Sequence, residues 1–268
     1  MSDRTMTHVS NLAYVNLESE VNKRIANASK VHSRGHLGAM KDEMGDWTIV
    51  KANDGGFFSA GFGGVAVKKG HDIVIGYRGT ESTFEFIYDF LADVNLFISG
   101  TNVQSNKASK FAAELILEYE QANAYVTGHS LGGFLAQVVS YKMLEDELHN
   151  SFHPNSSNHT ILREILLQGS HFKKGVTFNA APFFYHTYGF FNGIIIRPEI
   201  PLKALTSNKY NEQVINYSIE GDFLQSGFVD TGSATKFGKI FPAYQMENTE
   251  KKPHALIQFY EHFPRYDN

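Results

Sequence analysis

Apolar and polar positions along the chain follow two rhythms. Short runs rich in β-branched and aromatic residues, at 47–51, 72–77, 124–126, 175–179 and 214–220, read as strands. Between them lie longer stretches with helical spacing. Residues 106–120 carry Phe111, Leu115, Ile116 and Tyr119, a long helical stretch follows Ser130, and residues 253–263 carry His254, Leu256, Ile257 and Phe259. Residues 11–28, with Leu12, Val15, Leu17, Val21 and Ile25 loosely periodic, also read as a helix. Polar, glycine-punctuated segments at 31–45, 149–160 and 231–239 read as loops, and Asn53-Asp54-Gly55-Gly56 as a turn. Residues 57–59 and 64–67 suggest a hairpin at a sheet edge. Strands alternating with helices predict an α/β fold whose mainly parallel central sheet is covered on both faces. No repeat, linker or shift of composition interrupts residues 1–268, which are therefore expected to form one domain.

Two stretches stand outside these rhythms. Residues 82–98 and 183–196 are dense in aromatics, the second leading on as one candidate segment to residue 210. Each reads either as ordinary core or as a lid or pocket wall over a site, since apolar runs alone do not separate the two. Asp89 and Asp93, four apart in the first, read as a solvated helix face.

The junction between the 124–126 strand and the helix after it carries chemistry. Gly128-His129-Ser130-Leu131-Gly132 fits Gly-x-Ser-x-Gly, the pattern of a nucleophile elbow. A serine on such a bend adopts a strained backbone and presents its hydroxyl at the end of the strand. The glycines remove side chains where strand and helix cross. The free N–H groups at the helix start, Leu131 first, then face any oxyanion formed at the serine. A serine nucleophile needs a base, and a histidine base needs a carboxylate to fix its tautomer. The order Ser…Asp…His suits an α/β hydrolase. Asp222 follows a strand-like run and a glycine, with Asp230 as the rival acid. His254 opens the last helical stretch, with His262 as the rival base. His129 is expected to be structural, pointing away from the pocket. His149, His153 and His159 fall in a Ser/Asn-rich loop without metal-ligand spacing, so no metal is expected.

Composition narrows the classes. The 268 residues are 42% hydrophobic and 19% charged, a globular balance. The net charge of −4 speaks against a nucleic-acid partner. Without cysteine there is no disulfide, thiolate metal site or cysteine nucleophile. The first residues lack the apolar core of a signal peptide, and no run reaches the roughly 18 apolar residues of a membrane span. The expectation is a soluble chain, cytoplasmic or exported without such a signal.

Five separated blocks resemble class 3 (fungal-type) lipases in content and order: IVIGYRGTES, VTGHSLGG, GVTFNAAP, GDFLQSG and PHALIQFY, spanning roughly residues 72–262. The resemblance implies an α/β-hydrolase fold with possible lid insertions and hydrolysis of lipid esters, of triacylglycerol lipase or phospholipase A type. It implies Ser130 as nucleophile, Asp222 as acid and His254 as base. Thr80 and the Leu131 N–H would form the oxyanion hole, with Asp89 orienting the Thr80 hydroxyl. No cofactor is implied, and the partner is a lipid or other ester, met in passing at a membrane or lipid-droplet surface. The 92 residues from Ser130 to Asp222 exceed the family pattern, and the 32 from Asp222 to His254 fall short of it. Residues 183–210 have no clear counterpart. The same fold also serves acyltransferases, thioesterases and non-enzymatic lipid-binding relatives.

Overall fold

The computed structural model describes residues 1–33, 37–55, 62–79, 94–168, 171–184, 189–191, 194–196, 199–241, 253–256 and 259–263. Its centre is a seven-stranded sheet. The strands are β1 (Thr48–Asn53), β2 (Gly64–Lys69), β3 (Asp72–Tyr77), β4 (Asn123–His129), β5 (Phe172–Phe178), β9 (Val214–Tyr217) and β11 (Lys239–Ile240), side by side in that order. β1, β2 and β3 pair antiparallel; every pair from β3 to β11 is parallel. The mainly parallel sheet expected from the sequence is therefore present, with an antiparallel edge.

Alternation along the strands builds two cores. Ile73, Ile75 and Tyr77 of β3 join Ala124 and Val126 of β4 on one face. Val74 points the other way, beside Val65, Val67, Val176 and Phe178. Both faces are buried, as a parallel sheet requires. Each fully buried Ile or Val contributes roughly 1.5–3 kcal/mol. The first face is covered by α3 (Val94–Glu118), α4 (Leu131–Leu144) and α5 (Ser157–Leu167). The second is covered by α1 (Asp3–Leu12), α2 (Leu37–Met44) and Phe259 of the short α7 (Phe259–His262).

Helix boundaries differ from the sequence expectation at the N-terminus. The first helix begins at Asp3, where the Ser2 side chain accepts the Thr5 N–H at 3.0 Å, and it ends at Leu12. Most of residues 13–28 form tight turns instead, tied by the buried Glu20 carboxylate, which accepts bonds from Ser29 and Lys23. Two expected loops contain helices: α2 falls within 31–45, and α5 starts within 149–160. Ser156 caps α5, and Leu162, Ile165 and Leu166 face the core. The expected strand at 57–59 lies outside the described residues, as do residues 82–93 of the first aromatic stretch. In the second, β6 (Phe183–Phe184) pairs with β10 (Ala234–Thr235), and β7 (Gly189–Phe191) with β8 (Ile194–Ile196). Phe183 is core, its ring 4.6 Å from that of Phe134 on α4. Between β8 and β9 lie the short helix α6 (Leu202–Leu205) and a 3-10 turn at Asn208–Tyr210. The last helical stretch is shorter than expected: His254 lies in a turn ahead of α7. Among the described residues no helix is long and apolar enough to cross a membrane.

Candidate active site

The C-terminal ends of β3, β4, β5 and β9 meet at one edge of the sheet, the usual place for a site in an open α/β fold. Ser130 stands between β4 and α4 with φ 57° and ψ −128°, a backbone that costs a non-glycine residue about 1–3 kcal/mol. Its surroundings hold it there. The Ser130 N–H donates to the Phe178 carbonyl at 3.1 Å, and its own carbonyl accepts from Gly133 at 2.9 Å and Ala181 at 3.1 Å. Close crossing is possible only because the flanking positions lack side chains. A Cβ on Gly132 would lie 2.1 Å from the Tyr77 carbonyl oxygen, and one on Gly128 would lie 2.2 Å from that of Gly132. Ser130 is only 1% exposed, so the hydroxyl presented at the end of the strand is enclosed.

The three residues singled out in the sequence come together. Ser130 Oγ lies 2.9 Å from His254 Nε2, and His254 Nδ1 lies 2.5 Å from Asp222 Oδ2. The other carboxylate oxygen of Asp222 accepts the backbone N–H groups of Leu224 at 3.1 Å and Gln225 at 3.2 Å. Asp222 is fully buried. The rival Asp230 is exposed and accepts from the Gln225 side chain at 2.6 Å. His262 lies on α7, within the segment that packs on the far face of the sheet. Leu131 is the first residue of α4, so its N–H has no acceptor within the helix. Thr80 and Asp89 lie outside the described residues. Gly79, just before Thr80, donates its N–H to the Tyr14 hydroxyl at 3.2 Å. Arg78 is clamped on the Asp54 carboxylate at 2.6 Å and on its carbonyl.

His129 is structural in a specific way. Its Nε2 lies 2.7 Å from the His254 carbonyl, which can only accept, so Nε2 carries the proton. Nδ1 is then the acceptor for the Tyr14 hydroxyl at 2.9 Å. Burial, followed by the neighbouring His254, pushes the His129 pKa down to about 3, so the ring stays neutral. The Gly79 N–H, Tyr14, His129 and the His254 backbone thus form one chain of hydrogen bonds under the elbow.

Asn179 was not singled out in the sequence beyond its place in a block. Fully buried at the end of β5 with φ 43°, it donates to the Pro253 carbonyl at 2.9 Å and accepts the Ile219 N–H at 2.9 Å. One amide therefore ties the segment leading to Asp222 to the segment leading to His254. The only signal available beforehand was an Asn at the close of the expected 175–179 strand, a residue that tolerates positive φ. Among the described residues no cluster of three or more acidic, histidine or cysteine side chains is placed to hold a metal. His149 and His159 pack ring against ring, centroids 4.7 Å apart.

The sequence matches the class 3 lipase family model over residues 94–161, which include the elbow. No curated protein matches it significantly. Several solved structures share the fold. One is described as a triacylglycerol lipase whose catalytic centre is formed by a serine protease triad. It is 15% identical, with a TM-score of 0.54, over 92% of this chain and 80% of that one. The triacylglyceride lipase of Rhizomucor miehei is 13% identical, with a TM-score of 0.50, over 92% and 80% of the two chains. A lipase of Rhizopus microsporus var. chinensis is 14% identical, with a TM-score of 0.50, over 90% and 75%. At these identities the likeness is one of fold, that of the α/β hydrolases.

Proposed function

We propose that the chain is a member of the class 3, fungal-type lipases, a reading supported by the family-model match over residues 94–161, and on that premise that it is a serine hydrolase of lipid carboxylic esters. Residues 1–268 are taken as one catalytic domain. The observation that carries the reading is the unbroken line from Ser130 Oγ through the His254 ring to the Asp222 carboxylate, at 2.9 Å and 2.5 Å.

In this reading Ser130 Oγ attacks the acyl carbonyl carbon while His254 Nε2 takes the hydroxyl proton. Asp222 holds the ring with Nδ1 protonated and offsets the charge of the imidazolium. The carbonyl oxygen becomes an oxyanion, received by the Leu131 N–H and, by family resemblance, by the hydroxyl and N–H of Thr80, with Asp89 orienting that hydroxyl. His254 returns the proton to the departing alcohol, leaving an acyl-serine. Water, deprotonated by His254, then releases the acid and restores Ser130. Triacylglycerols and phospholipids are both within the proposed substrate class, reached during brief contact with a membrane or droplet surface.

A fluorophosphonate probe tests the reading. It should label the protein, and labelling should vanish in Ser130→Ala. Asp222→Asn should lower ester hydrolysis by about three to four orders of magnitude. Labelling that persists in Ser130→Ala would refute the nucleophile. Product analysis with water and an added alcohol separates a hydrolase from an acyltransferase.

A further inference from the structure

A lysine stands fully buried beside the proposed acid. Lys236 lies just after β10 with no exposed surface, and its Nζ donates to Ser218 Oγ at 2.7 Å and Gln225 Oε1 at 3.0 Å. Both acceptors are neutral. An ammonium is costly to bury without a direct anionic partner, and an apolar side chain of similar length would fill the same space. Burial pushes its pKa down to about 8, while Asp222 and then Asp230 pull it upward.

Gln225 connects the lysine to both carboxylates. Its Oε1 accepts from Lys236, its backbone N–H donates to Asp222 Oδ1 at 3.2 Å, and its Nε2 donates to Asp230 Oδ1 at 2.6 Å. The opposite oxygen of Asp222 is the one on His254. His254 is faced further by the Phe223 ring, 5.1 Å away, and by His129, which is held neutral. Among the described residues, the charged groups that these contacts bring to the pair are Asp222 itself, Asp230 and the lysine.

We propose that Lys236 is a positioning residue for the acid–base pair: through Gln225 it fixes the Asp222 carboxylate against His254, and its buried charge sets the acid limb of the reaction. The inference rests on Asp222 and His254 having the roles proposed above. The sign follows from electrostatics. A buried positive charge near the pair opposes a second positive charge on the His254 ring. It therefore keeps the base competent to lower pH.

The test is the rate of fluorophosphonate labelling of the full chain as a function of pH, at low ionic strength. Lys236→Met should move the acid limb upward by about half a pH unit or more. Asp230→Asn, an exposed change, should move it downward, because the lysine charge is then less offset. A merely structural lysine would lower the rate at every pH and leave the limb in place. Coincident limbs in wild type and Lys236→Met would overturn the proposal. If Lys236→Met does not fold, an unmoved or raised limb in Asp230→Asn overturns it equally. Wild-type protein that takes no probe at any pH would remove the hydrolase reading and this inference together; labelling with unmoved limbs removes this inference alone.

Discussion

At the scale of single residues, the site depends on side chains that bind backbone as much as on those that would do chemistry. Asn179 satisfies the Ile219 N–H and the Pro253 carbonyl with one amide, deep inside the protein. Asn179→Ala would leave both unpaired and keep a methyl-bearing residue at positive φ. We expect a loss of about 2–4 kcal/mol in urea unfolding, with kcat falling more than KM rises. Unchanged kinetics in a folded variant would show that the two loops hold their places without it. The types and order of Ser130, Asp222 and His254 were legible in the sequence. The roles of Asn179, Tyr14 and Lys236 were not, because each acts through partners distant along the chain or through backbone groups that carry no residue identity. Their own types and places in the sequence (an Asn closing a strand-like run, a Tyr within the expected 11–28 helix, a Lys in a polar stretch) are unremarked ones.

At the scale of elements, legibility followed how much local pattern was tied to burial. β3 was readable to its ends because Ile73, Val74 and Ile75 face two buried layers without a break. α4 was readable from the glycines at its start. α1 was misplaced because its boundary is set by the Ser2 cap, while apolar residues continue past Leu12 into turns that bury them by other means. α5 was missed because its first turn is Ser/Asn/His-rich and its apolar face emerges only later. The elbow yields a test at this scale. Gly132→Ala would place a methyl 2.1 Å from the Tyr77 carbonyl oxygen, part of the sheet and unable to swing aside. α4 must then shift off β3. The expected result is destabilisation by about 1–3 kcal/mol or more, seen as a lower melting temperature, with loss of probe labelling. A fully labelled, equally stable variant would mean that helix and strand are less tightly opposed than this crossing indicates.

For the whole molecule, buried neutral histidines tie stability to pH. Burial lowers the pKa of His129 to about 3 and lowers that of His8 as well. In the unfolded chain both titrate near 6.5. Above that value neither state binds the extra proton, and the full stability is present. As pH falls below it the unfolded chain takes up protons that the folded protein refuses, so stability drops toward the folded pKa. His129 alone should cost about 1.4 kcal/mol between pH 7.5 and pH 5.5. Urea midpoints across that range should fall accordingly, and His129→Asn should flatten the slope. A flat wild-type profile would show that His129 opens to solvent readily.

The N-terminal segment, residues 1–14, reaches further than its length suggests. Arg4 holds the carbonyls of Tyr260 and Phe263, and Tyr14 holds Gly79 and His129. Deleting residues 1–14, or fusing a bulky tag that frays this first segment, would therefore act on both halves of the reaction centre at once, though no atom of the tag need come near it. For anyone preparing this protein, the choice of fusion end is a choice about catalytic alignment.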